Sequence, residues 1–522
     1  MHLSTKHPTR VCQTWGPLVI AALVGTVGLW HVGQAAEFSC AASDVACLID
    51  AITTANANGE GNTITLAAGT YTLTAVDHDT EGPTGLPAIT SALTLRGSGA
   101  QSTIIERAAS TPRFRLLHVA ATGLLTLEGL TLRGGDLGRQ QSLGGGGIHN
   151  HGILTITQST LSDNTASYGG GIHNDGILTI TQSTLRHNRA NSGGGLNHGG
   201  PTLAITASTL SDNTARYGGG IYSSNYSSLT IANSTLQGNV ADSGGGISLW
   251  RSSVHITNGT VSDNVANSGG GIAGPIASVT MQNTILARNS VPPTRGWPDC
   301  AVPFMTSQGH NLLGDPSGCP ISLATSDLTG DPGVGDFVDD GTPGRGHVPL
   351  LPGSRAIDAI PWGTNGCGTT VYSDQRGQAR PQPAGGACDI GAYEVTVAGQ
   401  PLSAWVTGLT PHTAVCENVT TGQAVTLSAP TSPWDCEAAG LAVRAGDQVA
   451  LRVRGPVTHN ATDVGGAVVG LAPRGGGCTN RTTGQAVTFQ HMVGATAASC
   501  GAAGLVTHPG DQVQLRVQGA AE

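Results

Sequence analysis

The sequence predicts an all-β protein: a parallel β-helix with an N-terminal capping helix, followed by two small disulfide-stapled β units. Three observations carry this expectation. First, one unit of about 25 residues recurs six times over residues 144–290, and such a period marks a solenoid. The apolar residue after each glycine run falls at Ile148, Ile172, Leu196, Ile221, Ile247 and Ile272, so successive units step by 24–26 residues by subtraction. Second, segments such as LTIT alternate apolar and polar residues, as half-buried strands do. Third, no unit contains a helix-length segment, which excludes leucine-rich, ankyrin and tetratricopeptide arrays. Three short strands and three turns per unit give one coil.

Taken in order, the chain opens with a secretory-signal pattern over residues 1–36. Lys6 and Arg10 are basic, Pro17 to Trp30 is apolar, and Gly33 to Ala36 offers small residues for cleavage. No later apolar stretch is long enough to span a membrane. Residues 37–60 form the N-terminal cap. Ser43 is placed to cap a helix from Asp44 to Asn56 with Val45, Leu48, Ile49 and Ile52 as its apolar stripe, ended by Asn58-Gly59. Such a lid covers the unpaired strand edge at the end of an open coil.

Residues 61–395 are assigned to the β-helix. Its early coils lack the glycine triplet, and Asp77 to Ala88 is read as a surface loop. In the regular region, stacking by one strand spacing, about 4.8 Å, superimposes equivalent residues. Asn164, Asn188, Asn213, Asn239, Asn264 and Asn289 then form a buried ladder, each amide donating to the next. Residues 291–395 are expected to form two or three irregular coils closed by CDIGAYE. There Asp358, Asp374, Arg376 and Asp389 tie a terminal cap rather than an active site. Residues 402–457 and 464–520 repeat one another at an offset of about 62–64 residues, as two small β units.

Composition bounds the function. The chain has 522 residues, 11% of them charged, a net charge of −9 and one lysine, which excludes a nucleic-acid partner. Ten of its 11 cysteines fall into neighbouring pairs: Cys40/Cys47, Cys300/Cys319, Cys367/Cys388, Cys416/Cys436 and Cys478/Cys500. An even set in an exported chain reads as disulfides.

These repeats resemble right-handed parallel β-helix proteins of bacterial surfaces, including the GGA[ILV]…xxN repeats of polymorphic outer-membrane proteins. FSCAASDVACLIDAI and DQRG…CDIGAYE look like the exported "choice-of-anchor" type, whose C-terminal anchors vary. The resemblance covers residues 37–395 and implies right-handed coiling, export and a secreted or cell-surface location, with no activity attached. In place of a terminal anchor this chain carries the two β units, which argues against covalent or membrane attachment.

Chemistry is expected on the outward columns. His149 and His173 occupy adjacent coils, with His151, Asp175 and His198 near in register, a combination that suits a transition metal. Asn197, Tyr222, Ser248 and Ala273 do not continue it, so the expectation is a solvated polar face without metal or cofactor. Tyr168, Tyr217, Tyr222, Tyr226 and Trp250 recur near the same edge, where aromatic faces suit sugar rings or a protein partner. Asp163, Asp212 and Asp263 form a carboxylate column. Two coils separate the first two by about 9.6 Å, too far for a retaining glycosidase and marginal for an inverting one. The sequence therefore favours a non-catalytic rod that binds glycan or protein. The alternative is a polysaccharide lyase or glycoside hydrolase using Asp163, Asp212, Asp263 and Arg216. The repeats specify no oligomeric state.

Overall fold

A computed structural model describes residues 36–139, 142–293, 296–382, 386–395, 403–407, 413–427, 434–435, 448–457, 465–468, 471–490, 498–499 and 505–521. The predicted signal segment lies outside these residues apart from Ala36.

The coil has the predicted three strands. In one repeat they are Ile172–Asn174, Ile177–Thr181 and Thr184–Arg186. First and second strands join one 18-stranded sheet, and third strands stack into a separate 11-stranded sheet. Pairing is parallel throughout these two sheets, and the register is that of the repeat. Ile148 lies opposite Ile172, which lies opposite Leu196, then Ile221, Ile247 and Ile272. The inward residues of all three strands, among them Ile172, Ile180 and Leu185, are fully buried. In the glycine triplets a side chain has no room: a Cβ on Gly194 would sit 2.5 Å from the carbonyl oxygen of Gly219 in the next coil, and Gly193 holds φ +66°.

The asparagine ladder runs through the interior. Nδ2 of Asn164, Asn188, Asn213, Asn239 and Asn264 each donates to Oδ1 of the next asparagine at 2.9–3.0 Å. Asn289 ends it on Asp299 Oδ1 at 2.8 Å, and the amide of Gly135 begins it by donating to Asn164 Oδ1. Two further ladders escaped sequence reasoning. The amides of Ser159, Ser183 and Ser208 donate to the hydroxyls of Ser183, Ser208 and Ser234 in the next coil, and Ser159 accepts the Leu130 amide. Asn150 donates to Asn174, which donates to His198 Nδ1.

The N-terminal lid differs in its cap. The helix is Val45–Asn58, and Asp44, not Ser43, caps it by accepting the Cys47 amide at 2.9 Å. Ser43 instead takes φ +63° in the preceding turn. Gly59 ends the helix in the left-handed conformation, and Cys40–Cys47 pins its first turn to the strand Glu37–Cys40.

Residues 331–395 depart most from expectation. They do not simply close the coil but fold back along the 11-stranded sheet. Thr184, Thr209, Thr235 and Thr260 form its outward column, and all four are buried. Thr184 accepts the Gly344 amide, Thr209 donates to the Gly346 carbonyl, and Thr260 accepts the Ala392 amide. Gln375 accepts from Thr235 and donates to Thr209 and to the Gly344 and Gly346 carbonyls. Asp374, Arg376 and Asp389 tie this segment together: Asp374 holds Arg376 at 2.7 Å, and Asp389 accepts the Asp358 amide at 2.8 Å. Arg380 and Glu394 form a buried ion pair at 2.9 Å. The disulfide Cys367–Cys388 staples this segment, and Cys300–Cys319 staples the coil before it.

The two C-terminal repeats share their sheets. Gln448–Pro456 of the first pairs antiparallel with Gln512–Ala521 of the second, with Arg452 opposite Arg516, at the centre of a six-stranded sheet. Each copy alone would leave this strand as an open edge, and pairing with its duplicate removes both edges. Cys416 and Cys478 are disulfide-bonded. Cys436 and Cys500, the partners predicted for them, lie outside the described residues.

Candidate functional site

The outward column of the first strands is not covered by the fold-back segment. Its register runs His118, His149, His173, Asn197, Tyr222, Ser248, Ala273 and Ala301. On one flank the positions before the glycine triplets hold Tyr168, Ser192, Tyr217 and Ser243, linked coil to coil by single bridges. On the other flank the turn after the strand carries His151, Asp175 and Tyr226, and Trp250 stands at the matching place within the longer strand Ile247–Thr257. The column therefore has a histidine end and an aromatic end.

The aromatic end is built on exposed rings. Tyr226 is 78% exposed and Phe304 67%, and Trp250 and Ile276 stand paired in register between them. Tyr226, Arg251, Ser252, Ile276, Ser278 and Phe304 line a cleft of about 300 Å³, with the Arg251 guanidinium 5.9 Å from the Tyr226 ring centre. A second cleft of about 570 Å³ adjoins the column at Ser243, Ala273, Pro275, Trp297 and Pro303. Across the column, the Tyr217 and Tyr222 rings lie 6.4 Å apart and Arg216 stacks on Tyr217. Tyr168 stands 6.0 Å from the ring of His173 and so borders the other end.

The histidine end is not the solvated face expected from sequence. His149 is only 8% exposed and His118 4%. The stretch read as a surface loop, Asp77 to Ala88, brings Glu81 over them. Its Oε2 lies 2.6 Å from His151 Nε2, 3.4 Å from His118 Nε2 and 3.8 Å from His149 Nδ1. Arg115, fully buried, places Nη1 3.1 Å from His149 Nδ1 and donates from Nη2 to the Glu81 carbonyl. A guanidinium only donates, so His149 Nδ1 accepts, and its neutral ring carries the proton on Nε2. That nitrogen faces Asp175 Oδ2 at 3.5 Å, and His173 Nε2 faces the same oxygen at 3.3 Å.

Burial pushes the pKa of His118 and His149 down to about 4, so both are neutral at physiological pH. Hydrogen bonds from His149 and His173 hold Asp175 well below the usual carboxylate range. For Glu81 burial acts upward, but His151, His118 and His149 together outweigh it and keep it lowered. Donor atoms of Glu81, His118, His149 and His151 all lie within 4.8 Å of one another, as do those of His149, His173 and Asp175. The arrangement can hold a divalent cation or relay a proton. His198, near in register, points inward and is fully buried, so it is part of the interior ladder.

Sequence reasoning missed Glu81, Arg115 and His118. Aligning Leu117-His118 with Ile148-His149, with two extra residues before Gly123, would have set His118 over His149. Glu81 sits in a loop without period and carried no such signal.

The carboxylate column has a different origin. Asp163, His187, Asp212, Gly238 and Asp263 all hold φ between 55° and 66°, a left-handed turn repeated in every coil. Asp, His and Gly, which favour that conformation, fill five of these places, and Arg288 takes the same φ of 61° in the next coil. Asp263 pairs with Arg288 at 2.9 Å, while Arg216 turns to Asp242 at 3.7 Å. Asp163 and Asp212 flank His187 at 4.0 and 3.8 Å, so among the described residues only these two of the four proposed catalytic groups share a neighbour.

Residues 145–312 match the family model described as a right handed beta helix region. No curated protein matches the chain. Among solved structures it is similar to the A-module of the mannuronan C-5 epimerase AlgE6 of Azotobacter vinelandii, at 15% identity and TM-score 0.30, over 55% of this chain and 92% of that one. It is also similar to the enzymatically active domain of tailspike protein 2 of bacteriophage CBA120, at 12% identity and TM-score 0.34, over 92% of this chain and 80% of that one. Over the residues of the family match, the chain is a right-handed parallel β-helix.

Proposed function

We propose that the protein is an exported rod that binds an extended glycan, without chemical change to it, along the open column of its first strands. The observation that carries this reading is the pairing of exposed rings with hydroxyl and guanidinium groups along that column. Tyr226, Trp250 and Phe304 offer flat apolar faces, and Arg251 and Ser278 offer hydrogen bonds beside them. Sugars have both an apolar face and a polar rim, which such a surface matches. A shallow cleft repeated along a column gives several modest contacts rather than one deep pocket, which suits a chain-like ligand. Export is supported by Cys40–Cys47, Cys300–Cys319 and Cys367–Cys388, since disulfides persist in oxidising compartments.

A glycan array, followed by titration of any hit, tests the proposal. Binding that weakens on Tyr226→Ala and Trp250→Ala is the expected result. Absence of any glycan ligand, or release of cleaved or unsaturated product, contradicts it.

A further inference from the structure

We infer that Glu81, His118 and His151 form a binding site for a divalent transition metal of the zinc class, at the histidine end of the open column. Three features of the geometry point there.

The donor atoms converge from three separate parts of the chain. Glu81 comes from a loop between coils, His118 from the strand Leu117–Val119, and His151 from the turn after Ile148–Asn150. Their donor atoms lie within 4.8 Å of one another. A tetrahedral zinc with bonds of about 2.0–2.1 Å sets its donors about 3.4 Å apart. The separation of His118 Nε2 from Glu81 Oε2 is 3.4 Å, and small rotations of the part-exposed His151 and Glu81 side chains adjust the rest.

The second feature is an unanswered lone pair. His118 is 4% exposed, yet among the described residues neither of its ring nitrogens has a hydrogen-bond partner. A buried polar atom left so costs about 1–3 kcal/mol, unless something outside the protein meets it. A cation between Glu81, His118 and His151 meets it.

The third feature limits the ligand count. His149 Nδ1 faces the same point, but Arg115 already donates to it at 3.1 Å. His149 therefore stays outside the coordination sphere, anchoring Arg115 on one side and Asp175 on the other. Two histidines and one glutamate remain, which leaves an open position toward the column for water or a ligand oxygen. Imidazole and carboxylate donors without thiolate suit zinc, copper and nickel ahead of magnesium or calcium. The site does not depend on the glycan reading, because it is defined by metal affinity alone.

The test uses the full chain without a histidine tag, titrated calorimetrically with zinc and followed by visible absorption with Co²⁺. One equivalent of zinc is expected to bind saturably, and Co²⁺ to give the intense visible band of a tetrahedral site. Glu81→Gln and His151→Ala should each weaken zinc by more than about 100-fold and abolish the cobalt band. Both side chains are part-exposed, so the coil should keep its circular dichroism. His187→Ala, on an exposed turn elsewhere, should change neither readout. Zinc should raise the melting temperature of the wild type and of His187→Ala only. Absence of saturable zinc binding, or tight binding that survives either Glu81→Gln or His151→Ala, overturns the assignment.

Discussion

Thr184, Thr209, Thr235 and Thr260 project from the third strands of their coils as His149, His173, Asn197 and Tyr222 do from the first. Both columns step by one coil per residue and both carry hydrogen-bonding groups. The threonine column is covered by residues 331–395, which satisfy its hydroxyls with backbone groups and Gln375. The other column is free of that segment: the loop carrying Glu81 lies over His118 and His149, Asn197, Ser248 and Ala273 are buried among their neighbours, and exposed rings flank its far end. Regular stacking makes every side of a solenoid into a flat polar sheet. The chain uses one such side to dock its own irregular segment and leaves the other free of that segment. A repeated polar residue is therefore no evidence of a ligand until what lies over it is known.

The comparison can be broken most severely from the interior that both sides share. Asn213 accepts from Asn188 and donates to Asn239 and to the Leu185 carbonyl. Asn213→Leu strands these buried partners and should lower the unfolding free energy by about 3–5 kcal/mol, measured by chemical denaturation. On the covered side, Gln375→Ala removes the bonds to Thr209, Thr235, Gly344 and Gly346. It should cost about 2–3 kcal/mol and raise hydrogen exchange in residues 331–395 and the threonine column, leaving the open column unchanged.

The end of the asparagine ladder gives a pH signature. Burial raises the Asp299 pKa to about 6, against the hydrogen bonds from Asn289 and Asp315 that favour its charge. A carboxyl raised above its unfolded value binds the proton more tightly when folded. Its contribution is complete below the unfolded pKa and is lost as pH rises through about 6, at up to about 1.4 kcal/mol per pH unit. Denaturation between pH 4.5 and 7.5 should show this fall, and Asp299→Asn should flatten it. The smallest effect belongs to the open side. Tyr226→Ala should change stability by less than about 0.5 kcal/mol while weakening glycan binding, so that stability and binding map to opposite sides of the coil.

Much of the fold was legible because a solenoid writes its geometry as period. The inward column from Ile148 to Ile272, the Asn164–Asn289 ladder and the local Cys40, Cys300 and Cys367 pairs all follow from spacing. What period does not encode was missed. The fold-back of residues 331–395 rests on Gln375 and on backbone groups, which have no repeating pattern. The N-cap passed from Ser43 to Asp44 because Ser43 is needed in a left-handed turn. The histidine cluster was half visible: His149, His151, His173 and Asp175 lie in the repeats, whereas Glu81 and Arg115 reach it from irregular chain. The regularity of the Asp163, Asp212 and Asp263 column goes with a left-handed turn repeated in each coil, which aspartate as a turn former can adopt.

The account rests on one side of the coil being covered and the other open. Thiol labelling of Thr209→Cys and Tyr222→Cys, each in a Cys12→Ser background, measures this directly. Cysteine at 222 should react near the rate of a free thiol, while cysteine at 209 should be protected about 100-fold and lose that protection on Gln375→Ala. Equal labelling of the two positions, or protection of 222 alone, would contradict it.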